Sequence, residues 1–541
     1  MTESAPLIAA LRSPACYTHP VKHIEVLETH ISWVILTGEH AYKIKKPVNL
    51  GFLDFSTLEE RRRCCVEELR LNRQFAPALY EAVVKITGSP DDPRIGGDGA
   101  AIEYAVKMRE FPQSALASRL LTGGAITDAQ IDALGLRIAE FHAGAGVSAR
   151  GSPYGTPEAV INPVRENLIQ LKRLLPETAD QARLHELHIW IEREYDALRT
   201  KFTARQAEGR VRACHGDLHL GNIVMLDGQL TPFDCIEFNP ALRWIDVMNE
   251  TAFLVMDLTD RGRTDFAYRF LNAYLEATGD YAGLEILPFY LVYRAMVRAK
   301  VHGLRAMQDG VAAAERTRLL DVSRSYVELA QRCAYDMRGE RPAFILMHGV
   351  SGSGKSAAAR ALAGRIGAIR LRSDIERKRL NGLAPLMPSG SKLASGIYTP
   401  DLTLATYGRL LDLARMAVKA GHAVIIDAAF LKRWQRDLFR RTAQASGIPF
   451  VIVNVTAPEP MLRARIAARA AAGGDPSEAS QAVLTRQLAR ADVLTADELP
   501  GTLRIDTSHA DAESSLPEAG EKLRMRLVAA RPQAARAFAL S

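Results

Sequence analysis

The sequence predicts two modules in one 541-residue chain. The first is α+β, with a strand-rich lobe followed by a helical lobe. The second is α/β, a parallel sheet with flanking helices. Three observations predict this. Short runs rich in β-branched and aromatic residues crowd the first 110 positions. Helical patterning takes over from about 126 to 335. Beyond 343, short apolar strands alternate with helices, as in a parallel sheet covered on both faces.

In the first module, 31–38 (ISWVILTG) and 41–48 (AYKIKKPV) read as paired strands joined through Gly38-Glu39-His40. A helix over about Thr57–Phe75 follows, then strands at 80–87 and 101–111 before Pro112. The helical lobe is interrupted near 211–238 by a loop-rich segment and closes with a charged helix from about Val311 to Tyr335. DMRGERP at 336–342 breaks the pattern, because Gly339 terminates a helix and Pro342 cannot continue one. The expected boundaries are a first module at 1–337 (lobes about 1–112 and 113–337), a linker at 338–342 and a second module at 343–541. Strands are expected there at 343–348, 368–372, 422–427, 449–455 and 502–506, and the Ala-rich stretch at 464–474 reads as helix ending in a Gly-Gly loop.

Composition narrows the class. Hydrophobic residues at 48% and charged residues at 24% exclude a disordered, collagen-like or coiled-coil chain. No run approaches 18 apolar residues, and MTESAPLIAALRSP lacks the basic start and apolar run of a secretory signal, so no membrane partner and a cytoplasmic location are expected. The net charge of +7 is small for this length and suits phosphorylated ligands as well as nucleic acid, which is not expected as a partner. Six scattered cysteines without a CxxC pair predict reduced thiols, with neither a disulfide framework nor a structural zinc site.

Gly349-Val350-Ser351-Gly352-Ser353-Gly354-Lys355-Ser356 fits G-x-x-x-x-G-K-[ST] at every fixed position, between an apolar strand and a helix. Such glycines let successive N–H groups face phosphate oxygens at a helix N-terminus. Lys355 is expected on the terminal phosphates and Ser356 on Mg²⁺. Asp374, in RSD after the second strand, can take a hydroxyl proton, hold magnesium or cap the next helix. Asp427 ends HAVIID, where a carboxylate can ligate Mg²⁺ or serve as a turn residue. Arg465 and Arg469 stand four apart on one helix face, with Arg463 nearby, and are expected to neutralise charge over the phosphates. On these motifs the stretch 343–530 resembles the small P-loop kinases of metabolites, the group of gluconate kinase, chloramphenicol phosphotransferase and the zeta-toxin kinases. The resemblance implies that Asp374 contacts or activates the acceptor hydroxyl. The segment 383–399 matches no nameable acceptor pocket.

The first module carries HGDLHLGN at 215–222, an H-x-D-x-x-x-x-N arrangement, and PFDCIE twelve residues after Asn222 places Asp234. That spacing suits an acid that accepts the hydroxyl proton (Asp217), an amide on the metal (Asn222) and a second acid completing the Mg²⁺ site (Asp234). His215 and His219 are expected to organise the loop by hydrogen bonds. These residues resemble the aminoglycoside phosphotransferase family, a branch of the protein-kinase-like fold, over about 30–335. The resemblance implies a bilobal kinase-like module, a phosphate-binding Lys43 (rival Lys45) paired with Glu68 (rival Glu67), and an adenine hinge near Met108-Arg109-Glu110-Phe111. Since no G-x-G-x-x-G loop separates the first strands, the phosphate cover is expected at 28–31 or 37–40. Asp246 is expected either to hydrogen-bond the metal loop or to cap a helix.

With PVNLGFLDFSTLEERR near its start, the whole chain resembles bacterial fusion proteins of these two domain types. The expectation is a bifunctional enzyme with two ATP·Mg²⁺ sites, each transferring a phosphoryl group to a small-molecule hydroxyl. The rivals are an aminoglycoside-modifying enzyme, which needs an acidic pocket that Glu237, Asp246, Glu250, Asp257 and Asp260 could supply, a nucleic-acid end kinase, and a pair in which one domain binds nucleotide only to regulate the other. Acceptor identity and oligomeric state have no signal in the sequence.

Overall fold

In the computed structural model, the residues described are 5–529 apart from 30, 50, 52, 309, 336–341, 392–395, 473–474 and 509–511. The expected linker, except Pro342, and the Gly-Gly loop lie outside them. The chain forms two compact units: Met1–Asp257 with Tyr293–Val327, and Leu258–Val292 with Glu328–Ser541.

The first unit holds a six-stranded antiparallel sheet of β1 (Glu25–Glu28), β2 (Ser32–Leu36), β3 (His40–Lys45), β4 (Tyr80–Ser89), β5 (Asp92–Ile95) and β6 (Glu103–Arg109), in the order β1-β2-β3-β6-β4-β5. Side chains alternate between faces along a strand. Tyr42 and Ile44 of β3 therefore join Trp33, Ile35 and Tyr17 in one hydrophobic core, and Lys43 and Lys45 take the other face. The helix Leu58–Asn72 packs on β4 and β6, started by Thr57, whose hydroxyl accepts from Glu60 N. Two strands, β1 and β5, had no sequence signal. Both are four-residue edges of the sheet, and β5 contains Pro93, tolerated only where no ladder partner is needed.

Further on, the short pair β7 (Val211–Ala213) and β10 (Trp244–Asp246) flanks a tight hairpin of β8 (Ile223–Leu226) and β9 (Gln229–Pro232). The hairpin turns on Asp227-Gly228, both at positive φ (50° and 80°), the dipeptide such a turn selects. Helices Asp128–Gly144, Pro157–Leu174 and Thr178–Ala207 precede it in sequence, the last burying Trp190 and Phe202.

The second unit is built on β11 (Ala343–His348), β12 (Ala368–Arg372), β13 (Ala423–Asp427), β14 (Phe450–Thr456) and β15 (Thr502–Asp506). All run parallel in the order β12-β13-β11-β14-β15. Ile345, Ile425 and Val453 pack with Leu362 of the helix Lys355–Ile366 and Leu523 of the helix Ala512–Ala529. The helix Thr264–Thr278 also packs in this unit, against the helix Lys355–Ile366 and β12. All six cysteines are buried and none is in a disulfide. Among the described residues no helix is long and apolar enough to cross a membrane.

Truncation of a fully buried strand residue leaves a cavity that the sheet cannot close. Ile425→Ala should lower unfolding free energy by about 2–5 kcal/mol in urea titrations. Val493→Ala, at a side chain 81% exposed, should stay within about 0.5 kcal/mol of the parent.

Candidate active sites

In the first unit the β8–β9 hairpin explains how residues twelve apart in sequence meet. Ile223 pairs with Pro232, and Phe233 N donates to Asn222 O at 2.9 Å, so the loop entering β8 and the segment leaving β9 lie side by side. Asn222 Nδ2 donates to Asp217 Oδ2 at 2.8 Å and to its carbonyl at 3.0 Å. Asp234 sits at φ +66°, a left-handed conformation costly for a non-glycine residue. Its N–H donates to Tyr80 Oη at 3.1 Å, and the next N–H, of Cys235, donates to Asn72 Oδ1 at 2.9 Å. These bonds hold the strained turn.

Two lysines from β3 reach the same acid. Lys43 Nζ donates to Glu68 Oε1 at 2.9 Å and to Asp234; Lys45 Nζ donates to Glu68 Oε2 at 2.7 Å and to Glu237. Burial alone would strip the proton from Lys43, but Asp234, Glu68 and Glu237 outweigh it and hold the ammonium well above its usual range. Burial would likewise raise Glu68, but the two ammonium groups pull it well below the ordinary carboxylate range. Glu67 points elsewhere, pairing with Arg70 at 2.6 Å and Arg243 at 3.0 Å.

The HGDLHLGN loop is held by carboxylates gripping its backbone. Glu250, fully buried, accepts from His215 N at 2.8 Å and Gly216 N at 2.6 Å, and Asp257 accepts from Leu220 N at 2.8 Å. His215 Nε2 meets Phe233 O at 2.9 Å, and His219 Nδ1 accepts from Gly221 N at 3.0 Å, so both histidines organise the loop. Burial pushes the Asp217 carboxyl up, but His219 (Nε2 3.4 Å from Oδ2) and Arg298 more than reverse this and hold it well below its ordinary value. Asp217 is therefore ionised at neutral pH. Asp246 instead binds Arg205 through both oxygens (2.7 and 2.8 Å) and caps its helix through Met248 N at 2.8 Å.

The two turns proposed as phosphate cover are at opposite ends of the sheet. Ser32 pairs with Lys45, so the start of β2 lies beside the lysines; His30 of the preceding turn lies outside the described residues. The β2–β3 turn is instead pinned to the segment after β6, where Glu110 accepts from Thr37 N at 2.9 Å and Gly38 N at 2.6 Å.

In the second unit, Gly349–Ser356 curls between β11 and its helix. Gly349 (φ +143°) and Gly352 (φ +83°) leave no room for a side chain, since a Cβ would lie 2.4 Å from Val455 O and 2.6 Å from Leu462 O. Lys355 Nζ folds back to Val350 O at 2.7 Å, and burial pushes its pKa down to about 8, with Asp427 and Asp374 opposing the shift. Ser356 Oγ donates to Asp427 Oδ1 at 3.2 Å; Asp427 Oδ2 and Ser353 Oγ are buried without a hydrogen-bond partner. Paired oxygen donors with an orphaned carboxylate oxygen suit a hard cation such as Mg²⁺. Around this corner opens a cleft of about 980 Å³ lined by Lys355, Ser356, Asp374, Asp427, Arg465 and Arg469 among others. Arg465 is fixed by Thr507, through Oγ1 at 2.8 Å and the carbonyl at 2.7 Å, while Arg469 reaches Ala479 O at 3.1 Å. Arg463 faces outward, paired with Glu459 at 2.7 Å.

The model of the Phosphotransferase enzyme family matches residues 67–287, and that of the AAA domain matches residues 344–494. The uncharacterized protein Rv2004c of Mycobacterium tuberculosis is 31% identical over 477 residues, spanning 87% of this chain and 92% of that protein. The uncharacterized protein Mb2027c of Mycobacterium bovis matches to the same extent. The chain belongs to their family, and in this chain a phosphotransferase module is joined to a P-loop module. Solved structures align in part. A sugar kinase from Janibacter sp. HTCC2649 is 23% identical over 36% of this chain and 99% of its own, with a TM-score of 0.26. A choline/ethanolamine kinase family protein from Mesorhizobium loti is 13% identical over 62% and 99%, with a TM-score of 0.35.

In this family member, Lys43, Glu68, Asp217, Asn222 and Asp234 come together in one unit, and the 349–356 loop, Asp374, Asp427, Arg465 and Arg469 in the other. Sequence reasoning missed the supports: Glu250 and Asp257 under the loop, Asn72 and Tyr80 behind Asp234, and Gln487, whose Oε1 accepts from Ser351 N at 2.7 Å. Glu250 and Asp257 were noted only as members of an acidic run. The FDCIE and HGD motifs point at the reacting groups and not at what holds them.

A pKa near 8 has a testable consequence. A phosphate bound at this loop would use the Lys355 cation, so its affinity would be full below pH 8 and decline as pH rises through it. Nucleotide affinity at the second unit should fall about tenfold between pH 7 and pH 9, and Lys355→Arg should flatten the profile in a fluorescence titration.

Proposed function

We propose that the chain is an ATP- and Mg²⁺-dependent small-molecule kinase with a phosphoryl-transfer site in each module, the first a bilobal kinase-like site. The observation that carries this reading is the contact chain Asp234–Lys43–Glu68 beside Asp217–Asn222: an ammonium, two magnesium-type donors and a separate acid within one loop system. The acid separate from the metal donors distinguishes transfer to a hydroxyl from mere nucleotide binding.

In the first module, Lys43 would hold the α and β phosphates and Asn222 and Asp234 the magnesium, which when bound neutralises charge on the phosphates. Asp217 orients the acceptor hydroxyl. As the hydroxyl oxygen bonds to the γ-phosphorus and the bond to the leaving ADP oxygen breaks, the hydroxyl proton passes to the Asp217 carboxylate. A carboxyl held below its usual range is a weak base, so its contribution is chiefly orientation, as suits a loose transition state. In the second module, the 349–356 backbone and Lys355 would cradle the phosphates, Ser356 and Asp427 would hold the metal, and Asp374 would meet the acceptor, with Arg465 and Arg469 near the transferring charge. The first module's acceptor is not expected to be a polycation. Glu237, Asp246, Glu250 and Asp257 are buried and each is bonded to a neighbouring lysine, arginine or backbone N–H, which leaves them no pocket to line, and the half-buried Asp260 belongs to the other unit.

Screening ATP consumption against pooled sugars, polyols, hydroxy acids and nucleosides tests this. Asp217→Asn should abolish transfer to one acceptor by about 10²-fold or more and leave the other, and Asp374→Asn should do the converse. Transfer that survives both substitutions would remove both acids from the chemistry.

A further inference from the structure

The helix Thr264–Thr278 lies inside the stretch matched by the phosphotransferase family, 67–287, yet it packs within the P-loop unit. Its contacts there are specific. β12 is an edge strand, whose outer backbone groups need partners. Asn272 supplies them as a neighbouring strand would: its Nδ2 donates to Ala368 O at 2.9 Å and its Oδ1 accepts from Arg370 N at 2.7 Å. One turn on, Glu276 accepts from Arg370 Nε at 2.7 Å and lies 4.0 Å from Arg372 Nη1. Both arginines lead to the P-loop. Arg370 Nη1 donates to Ser356 O at 3.4 Å, and Arg372 Nε lies 3.7 Å from Asp427 Oδ2, the oxygen without a hydrogen-bond partner. Asp427 Oδ1 in turn accepts from Ser356 Oγ. Two routes from one buried carboxylate thus converge on Ser356.

We propose that Asn272 and Glu276 are positioning residues for the metal corner of the P-loop site, Glu276 acting through Arg370 and Arg372 on Ser356 and Asp427. The inference rests on reading that corner as a Mg²⁺–nucleotide site. Without the Glu276 charge, Arg372 keeps Asp427 and Asp475 (Oδ1 at 3.7 Å) as its acidic neighbours, and is free to shift toward Asp427 and compete with a cation for it. The phosphate cradle itself, built by backbone N–H groups and Lys355, does not pass through Glu276. Metal dependence and nucleotide binding should therefore separate.

The test uses the full chain carrying Lys43→Met, so that a fluorescent ATP analogue reports on the second unit, titrated with Mg²⁺ and in EDTA. Glu276→Gln should raise the Mg²⁺ concentration for half-maximal binding about tenfold, the usual scale for a partner behind a metal ligand, with affinity in EDTA unchanged. Glu276→Asp should fall between Gln and the parent. An unchanged Mg²⁺ midpoint, or an equal loss with and without Mg²⁺, overturns the proposal. If Glu276→Gln fails to fold, Glu276→Asp carries the test, and a parental midpoint there overturns it. Lys355→Ala in the same background separates the two ideas: analogue binding that survives it overturns the nucleotide-site reading itself.

Discussion

Glu68 meets two buried ammonium groups with its two oxygens, and the architecture of the first site follows from that arrangement. A buried charge left without its partner costs about 3–5 kcal/mol, so neither lysine can be buried on β3 unless the helix Leu58–Asn72 delivers the acid to the same face. Glu68 is then committed, and Lys43 and Lys45 must find their second partners in Asp234 and Glu237. Those two acids are three residues apart, on the segment leaving β9. The sheet is therefore tied to the loop system by charge, at the point where phosphates would bind.

The second site obeys the same constraint with a different result. Among the described residues Lys355 has no carboxylate within hydrogen-bonding distance; it folds onto a backbone carbonyl, and burial loosens its proton. An arriving phosphate would supply the charge that Lys43 already has. The first site is neutralised in advance and would have to exchange partners on binding phosphate, whereas the second would gain a partner. Rigid support is common to both. Carboxylates hold backbone N–H groups of the HGDLHLGN loop, and glycines with no space for a Cβ fix the P-loop against Val455 and Leu462. Donors held this way would not need to reorganise during a transfer.

Much of this was legible. The P-loop, the H-x-D-x-x-x-x-N loop and the strand–helix alternation carry short-range signals, because each depends on residues a few positions apart. Choosing Glu68 over Glu67 needed the register of the helix on the sheet, which places Glu67 with Arg70 and Arg243 instead. Lys43 and Lys45 both bind Glu68, so that contact alone does not separate the two rivals. Asp246 was equally open between loop support and helix cap; its bond from Met248 N makes it the cap, and its other partner, Arg205, stands 41 positions away. The role of Thr264–Thr278 had no signal at all. Asn272 acts by replacing a strand's backbone partners, an interaction that leaves no periodicity and joins residues 96 and 98 positions apart. Edge strands β1 and β5 were missed for a related reason, since each has one neighbour and little apolar patterning.

Two separate nucleotide sites should bind two nucleotides, and binding stoichiometry tests that most directly. Calorimetric titration of the full chain with a non-hydrolysable ATP analogue and Mg²⁺ should give two nucleotides per chain, falling to one in Lys43→Met and to one in Lys355→Ala. A single nucleotide per chain, lost entirely in Lys355→Ala and untouched by Lys43→Met, would contradict it.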